Sequence, residues 1–181
     1  MKHLSSIKQH AASQSGFSIL EIMVTLVVLS TGLLGVANLQ VTALRGNQGA
    51  HLATLAAQQA QDMAERMNTN PKGVGADLYD SLNAGIPVMA VNCQSASCTP
   101  AQLVLFDHNR WNAANQTLLP GGAGQVSEIR DGVYLIGVRW NDRQLAEASG
   151  WQANTPAATA CGEPQAGTRC FFLVHQPASI S

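Results

Sequence analysis

The stretch Gly16-Phe17-Ser18-Ile19-Leu20-Glu21 opens an apolar run that continues to Ala37, and together they read GFSILEIMVTLVVLSTGLLGVA. The run is as long as the ~20 residues that a helix needs to cross a bilayer. From Gln9 to Leu44 the sequence contains no Lys, Arg or Asp, and Glu21 is its only Glu. The stretch therefore predicts a membrane-spanning helix that carries one isolated carboxylate.

Residues 1–16 form a short polar segment that contains Lys2 and Lys8 but no acidic residue. Positive charge ahead of an apolar run favours a cytoplasmic N-terminus. We therefore expect the chain beyond the run to lie outside the inner membrane, in the periplasm.

The whole chain has 181 residues and a mass of 19.1 kDa, which is the size of one domain with one core. Charged residues make up 12%, against about 25% in ordinary soluble domains. The net charge of −1 offers no basic excess to hold a polyphosphate backbone, so the composition argues against a nucleic-acid-binding protein.

Three interpretations of the apolar run compete. A cleaved secretory signal has a shorter apolar region that ends in small residues, whereas here the small polar residues precede the run. An ordinary signal anchor, holding a periplasmic enzyme or sensor, fits the length and the charge. It leaves Glu21 unexplained, because an acidic residue at the bilayer centre costs roughly 2.5–3.5 kcal/mol.

The third interpretation rests on the hexapeptide from Gly16 to Glu21, which resembles the type IV pilin signal: a glycine, an aromatic residue, a hydroxyl residue, two aliphatic residues and a glutamate. The resemblance implies that a prepilin peptidase cleaves after Gly16 and methylates the new amino group of Phe17. It also implies that Glu21 pairs with the amino terminus of a neighbouring subunit during assembly. A charge buried in lipid is tolerated when it is paired in this way.

The helix is expected to run on to Met67, because apolar residues recur at sums of three and four positions: Val41, Leu44, Leu52, Leu55, Met63 and Met67. The proline at position 71 disfavours helix before it and should end the element. A helix over 17–67 would be roughly 75 Å long, longer than one small core covers. Two interpretations of its glycines stay open, close packing between helices or local softening: Gly32, Gly35, Gly46 and Gly49.

An α+β fold is predicted, in which the long helix, half of it transmembrane, packs on an antiparallel sheet. Thr99-Pro100-Ala101-Gln102 is typical of a capped start for a second helix, ending near Leu119. Its core-facing stripe is predicted from spacing as Leu103, Phe106, Ala114 and Leu118. Strands are predicted over 125–130, 133–140 and 169–175, and Asp131-Gly132 indicates a type I′ hairpin turn. One strand face should pack on the long helix: Tyr134, Ile136, Val138 and Trp140.

Four cysteines follow the apolar run, in a compartment that permits disulfides. Proximity favours the pairs Cys93–Cys98 and Cys161–Cys170, although four cysteines allow three pairings. Zinc is the weaker alternative, because the spacings differ from the usual C-x2-4-C knuckles. We therefore expect disulfides, no metal and no cofactor.

The sequence offers no motif for catalysis. It has no nucleophile elbow and no phosphate-binding loop with a lysine. Asp107 and His108 are adjacent, and we interpret them as a surface pair because neighbouring residues on a helix point apart. The chain is therefore not expected to be an enzyme.

A second resemblance covers about residues 105–143. Trp111, the segment Leu119-Pro120-Gly121-Gly122 and the end of the hairpin at Val138-Arg139-Trp140-Asn141-Asp142 resemble the outer domain of PilV-like minor pilins. The two resemblances imply a leader (1–16), a transmembrane assembly segment (17–38) and a periplasmic or extracellular head (39–181). They imply a minor pilin that initiates assembly or sits at the filament tip, affecting adhesion and twitching motility. Implied partners are the prepilin peptidase, major and minor pilins and the inner-membrane assembly platform; a minor pseudopilin of type II secretion is the alternative.

Overall fold

The computed structural model describes residues 16–143, 145 and 150–177. Four helices and three strands follow in chain order: α1 Ile19–Thr69, α2 Pro71–Val74, α3 Pro100–Leu118, β1 Ala123–Arg130, β2 Val133–Asn141, α4 Pro156–Cys161 and β3 Thr168–His175. The predicted α+β class is confirmed, and the three predicted strands are each found within two residues of their expected bounds.

The chain divides into two compact units, Met1–Arg45 and Gly46–Ser181, and α1 contributes residues to both. The helix stops where the sequence predicted. Asn70 leaves the helix, its side chain accepts a hydrogen bond from the amide of Gly73 at 3.2 Å, and Pro71 begins α2. A proline at the first position of a helix loses no bond, because that amide would have no intrahelical partner.

The sheet has the order β1-β2-β3 with both pairs antiparallel. Tyr134, Ile136, Val138 and Trp140 are buried and share one cluster with α1, which confirms their predicted face. The α1 residues in that cluster are mostly small: Ala56, Ala60, Met63, Ala64 and Met67. The helix runs through the whole predicted apolar stripe. Met63 and Met67 are buried, Leu52 and Leu55 pack against the cluster, and Val41 and Leu44 are exposed. Alanines, absent from the prediction, let α1 approach the sheet closely.

The capping box of α3 is confirmed. The amide of Gln102 donates to Thr99 Oγ1 at 3.3 Å, and the amide of Thr99 donates to Gln102 Oε1 at 2.9 Å. The predicted core-facing stripe of α3 is correct at Phe106, which is buried, and wrong at Leu118, which is exposed, while Leu103 and Ala114 are half-buried. The buried residues of α3 are Val104, Phe106, Asp107, His108, Trp111, Asn112 and Asn115. The buried face is largely polar because its side chains bind loop backbone rather than apolar partners.

The β1–β2 turn differs from the predicted type I′ geometry. Only Gly132 has a positive φ, 70°, whereas a type I′ turn needs positive φ at both central residues. A register shift between Glu128 and Arg130 accompanies the turn, and the amide of Gly132 donates to Glu128 Oε1 at 2.6 Å. The bulge changes the twist of the strand ends, so the mirror-image turn is not required.

Helix α4 lies on the other face of the sheet and was not predicted from the sequence. Thr155 caps it, and Pro156 occupies its first turn. The sequence carries the same Thr-Pro pair here as at the start of α3, but the helix that follows it is only six residues long. The backbone of Ala160 lies over Gly137, where a side chain would not fit. The structure pairs Cys161 with Cys170, joining α4 to β3, and Cys93 with Cys98 in the loop before α3.

Candidate functional site

Gly16, Phe17 and Ser18 lie outside the helix, and α1 begins at Ile19. The Ser18 carbonyl accepts bonds from the amides of Glu21 and Ile22 at 3.0 and 3.2 Å. Phe17 is 78% exposed, and no atom lies within 4 Å of the place where Gly16 would carry a Cβ. The peptide bond between Gly16 and Phe17 therefore lies ahead of the helix.

Glu21 lies in the first turn of α1 and is exposed. A carboxylate in the first turn interacts favourably with the positive end of the helix dipole. Within the part of the chain that the structure describes, Glu21 takes part in none of the ion pairs found. The carboxylate is thus presented outward, toward whatever surrounds the helix.

The first unit exposes a continuous apolar surface. Between Phe17 and Leu44 every large apolar side chain is exposed, and α1 includes a window apolar enough to cross a membrane by length and composition. Its hydroxyl side chains donate to backbone carbonyls of the helix itself: Thr25 donates to the Ile22 carbonyl at 2.8 Å, and Ser30 donates to the Leu26 carbonyl at 2.6 Å. Internal bonding of this kind suits a helix that has no water beside it.

Three glycines of α1 have no packing partner within the part of the chain that the structure describes. A Cβ at Gly32, Gly35 or Gly46 would meet nothing within 4 Å, and the helix continues through all three. Neither interpretation of these glycines is decided, because both concern the helix among its neighbours.

In the second unit, a polar network missed at the sequence level joins α1 to α3. Arg66 binds Asp62 at 2.8 Å and Asp107 at 3.2 Å, and the Tyr79 hydroxyl donates to Asp107 Oδ2 at 2.8 Å. Burial raises the pKa of the Asp107 carboxyl, while the hydrogen bonds from Tyr79 and Arg66 act in the opposite direction. Burial also raises the pKa of the Tyr79 phenol. The network fixes the head rather than forming an open site.

The interpretation of Asp107 and His108 as a surface pair is wrong, since each is only 4% exposed. Their side chains still diverge: Asp107 faces Arg66 and Tyr79, whereas His108 Nε2 lies 2.8 Å from the Asn83 carbonyl. Burial lowers the pKa of the His108 imidazole. Asp107 thus ties α3 to α1 and to Tyr79, and His108 ties α3 to the loop at Asn83.

Asn112 continues this loop-holding face of α3. Its Nδ2 lies 2.8 Å from the Gly85 carbonyl, and its Oδ1 accepts from the amide of Gly124 at 2.7 Å. At the preceding residue, the Trp111 indole donates to the Gln59 carbonyl of α1 at 2.8 Å. Over residues 16–143, 145 and 150–177, no group of three or more His, Cys, Asp or Glu residues could hold a metal ion.

An exposed apolar helix with a single carboxylate in its first turn precedes the α+β head, and by length and composition this helix could cross a membrane. Two family models match the chain: one described as prokaryotic N-terminal methylation motif over residues 11–37, and one described as type IV pilin Tt1218 over residues 38–109. No curated protein matches. No solved structure matches either. The two adjoining matches support a type IV pilin prepilin, and the pilin family consists of structural subunits.

Proposed function

We propose that this chain is a minor subunit of a type IV pilus, similar to PilV-like pilins. The observation that carries the proposal is Glu21, an isolated carboxylate in the first turn of an otherwise apolar, exposed helix. A carboxylate in lipid is costly unless it pairs with a cation. When the carboxylate has one fixed position on the helix, pairing with a cation of a neighbouring subunit fixes how the two helices align during assembly.

The proposed processing removes residues 1–16 and methylates Phe17. The prepilin peptidase cuts after Gly16, and the new amino group then lies four residues before Glu21. Its own amine is poorly placed to pair with Glu21, because it sits on the frayed residues ahead of Ile19. The amine of a neighbouring pilin is the partner that we assign to the carboxylate.

Segments 17–38 and 39–181 then serve as the assembly helix and the head. The protein resides in the inner membrane with its head in the periplasm, and the assembly platform transfers it into the pilus. The PilV-like assignment is supported by residues that the fold brings together: Trp111 packs against Gly124, and the amide of Asn141 donates to the Pro120 carbonyl at 2.7 Å. A minor role in initiating assembly or at the filament tip would affect adhesion and twitching motility.

The experiment compares Glu21→Ala with Glu65→Ala, a matched glutamate exposed later on the same helix. Immunoblots of membranes and of sheared pili measure how much of each variant enters filaments. Glu21→Ala should stay cleaved and membrane-resident but enter filaments poorly, while Glu65→Ala should behave like the wild type. Equal incorporation of both variants would contradict the assembly role, and a copy number in sheared pili equal to that of the main pilin would contradict the minor role.

A further inference from the structure

A groove of about 600 Å³ lies on the face of the sheet that carries α4, opposite the face that packs on α1. Leu135 forms its floor, and its rim is apolar and open: Val174 is 55% exposed, Ile129 46% and Phe172 36%. The first turn of α4, at Pro156 and Thr159, forms one wall. Helix α4 thus covers only part of this sheet face.

One end of the groove is strongly acidic. Ile129 also lines a neighbouring depression whose other residues are Asp77, Asp80, Glu128, Arg130 and Asp131. Burial raises the pKa of Tyr134, whose side chain lies on the α1 face of the sheet, to about 12, and Glu128, Asp77, Asp80 and Asp131 reinforce the shift. In the described part of the chain, the carboxylates of Asp77 and Asp131 make no hydrogen bond and no ion pair.

Apolar and charged features that adjoin in this way fit one class of partner. The exposed face of a sheet strand ordinarily carries polar residues, so Phe172 and Val174 are out of place unless something covers them. Four carboxylates beside one arginine attract cations and repel nucleic acid and anionic lipid. We propose that this groove docks a segment of another protein in which an aliphatic or aromatic side chain lies next to Lys or Arg. The apolar side chain enters the groove over Leu135, and the cation lies against Asp77 and Asp131.

The inference concerns the head alone and does not depend on the minor-pilin role. Photo-crosslinking of the full chain in native membranes and pili tests it, with the crosslinking amino acid p-benzoylphenylalanine replacing Phe172. Leu118, which is 43% exposed on α3, is the matched control position. The sequence of the crosslinked peptide is then read by mass spectrometry.

The acidic end is tested with the double variant Asp77→Asn and Asp131→Asn. Asparagine suits both places, because Asp77 has a φ of 53° and Asn-Gly is a favoured turn pair. Glu65→Gln with Glu163→Gln removes the same charge elsewhere on the exposed surface.

The proposal expects an adduct at position 172 but not at 118, on a peptide with Lys or Arg within a few residues of the attachment point. The yield should fall about threefold to fivefold in the Asp77/Asp131 double variant and in high salt, and stay unchanged in the glutamate control. The proposal would be overturned if no adduct formed, or if the adduct contained lipid or a peptide without Lys or Arg. It would also be overturned if the adduct yield were the same in the Asp77/Asp131 double variant as in the wild type.

Discussion

Replacing Gly137 with alanine tests how closely α4 lies on the sheet. A Cβ at this position would lie 1.9 Å from the Ala160 carbonyl oxygen and 2.9 Å from the Ala160 Cβ. Carbon and carbonyl oxygen atoms ordinarily stay about 3.3 Å or more apart, so α4 would have to move by roughly 1.5 Å. The obstacle is backbone, which cannot rotate away as a flexible side chain could.

The cost of Gly137→Ala follows from what α4 covers. Moving the helix uncovers Ala160 and part of Leu135, both of which are buried, and the disulfide to Cys170 keeps the helix from leaving altogether. Overpacking in a core costs about 1–3 kcal/mol, and we expect the upper half of that range because the clash is with backbone. For a chain of this size that lowers the Tm by about 4–12 °C.

The assay is thermal unfolding of the full chain in mild detergent, followed by near-ultraviolet circular dichroism. The signal reports on the head, which contains all three tryptophans, Trp111, Trp140 and Trp151. Gly75→Ala is the matched control: Gly75 has a φ of −66°, and its added Cβ would meet only the Pro71 carbonyl at 3.4 Å. That change should be neutral or stabilise by about 0.4–1 kcal/mol. Equal Tm values for the two variants would refute the placement of α4.

Three further predictions concern the head. Burial lowers the pKa of His108, so the folded state favours the neutral imidazole and the free energy of unfolding falls as the pH drops below about 6.5. His108→Gln should reduce this fall, which urea titrations at pH 7.5 and 5.5 measure, and an equal fall in the variant and the wild type would contradict the prediction. Tyr79→Phe should lower the free energy of unfolding by about 1.5–3 kcal/mol, because it removes the hydroxyl that donates to the buried carboxylate of Asp107. Urea unfolding that gives the wild-type free energy would argue against this hydrogen-bond network. Non-reducing peptide mapping should recover two linked pairs, and any crossed pair or free thiol would be inconsistent with them: Cys93–Cys98 and Cys161–Cys170.

The features that the sequence predicted are those that depend on local pattern. The apolar run, the stop at Pro71 and the Thr99–Gln102 capping box are each specified by neighbouring residues, and the strand face of β2 follows from simple alternation. The spacing of Leu118 on α3 predicted a core position, but this residue is exposed because hydrogen bonds to distant backbone orient the helix.

The polar face of α3 could not be predicted because its partners are far away in sequence. His108 contacts the Asn83 carbonyl, and Asn112 spans from Gly85 to Gly124. Composition and periodicity carry no information on such pairs, and buried polar residues look like surface residues until their partners are known. The Thr155-Pro156 signal of α4 was present in the sequence, but a helix of one and a half turns leaves no periodicity to support it.

Mass spectrometry of the mature N-terminus, with and without the prepilin peptidase, tests the central claim most directly. Removal of residues 1–16 from the 181-residue chain leaves 165 residues. In cells with the peptidase we predict that this shorter chain begins at N-methylated Phe17, and that the full precursor remains in membranes without it. An unmethylated or differently placed N-terminus, or the same mature chain in the absence of the peptidase, would contradict the account.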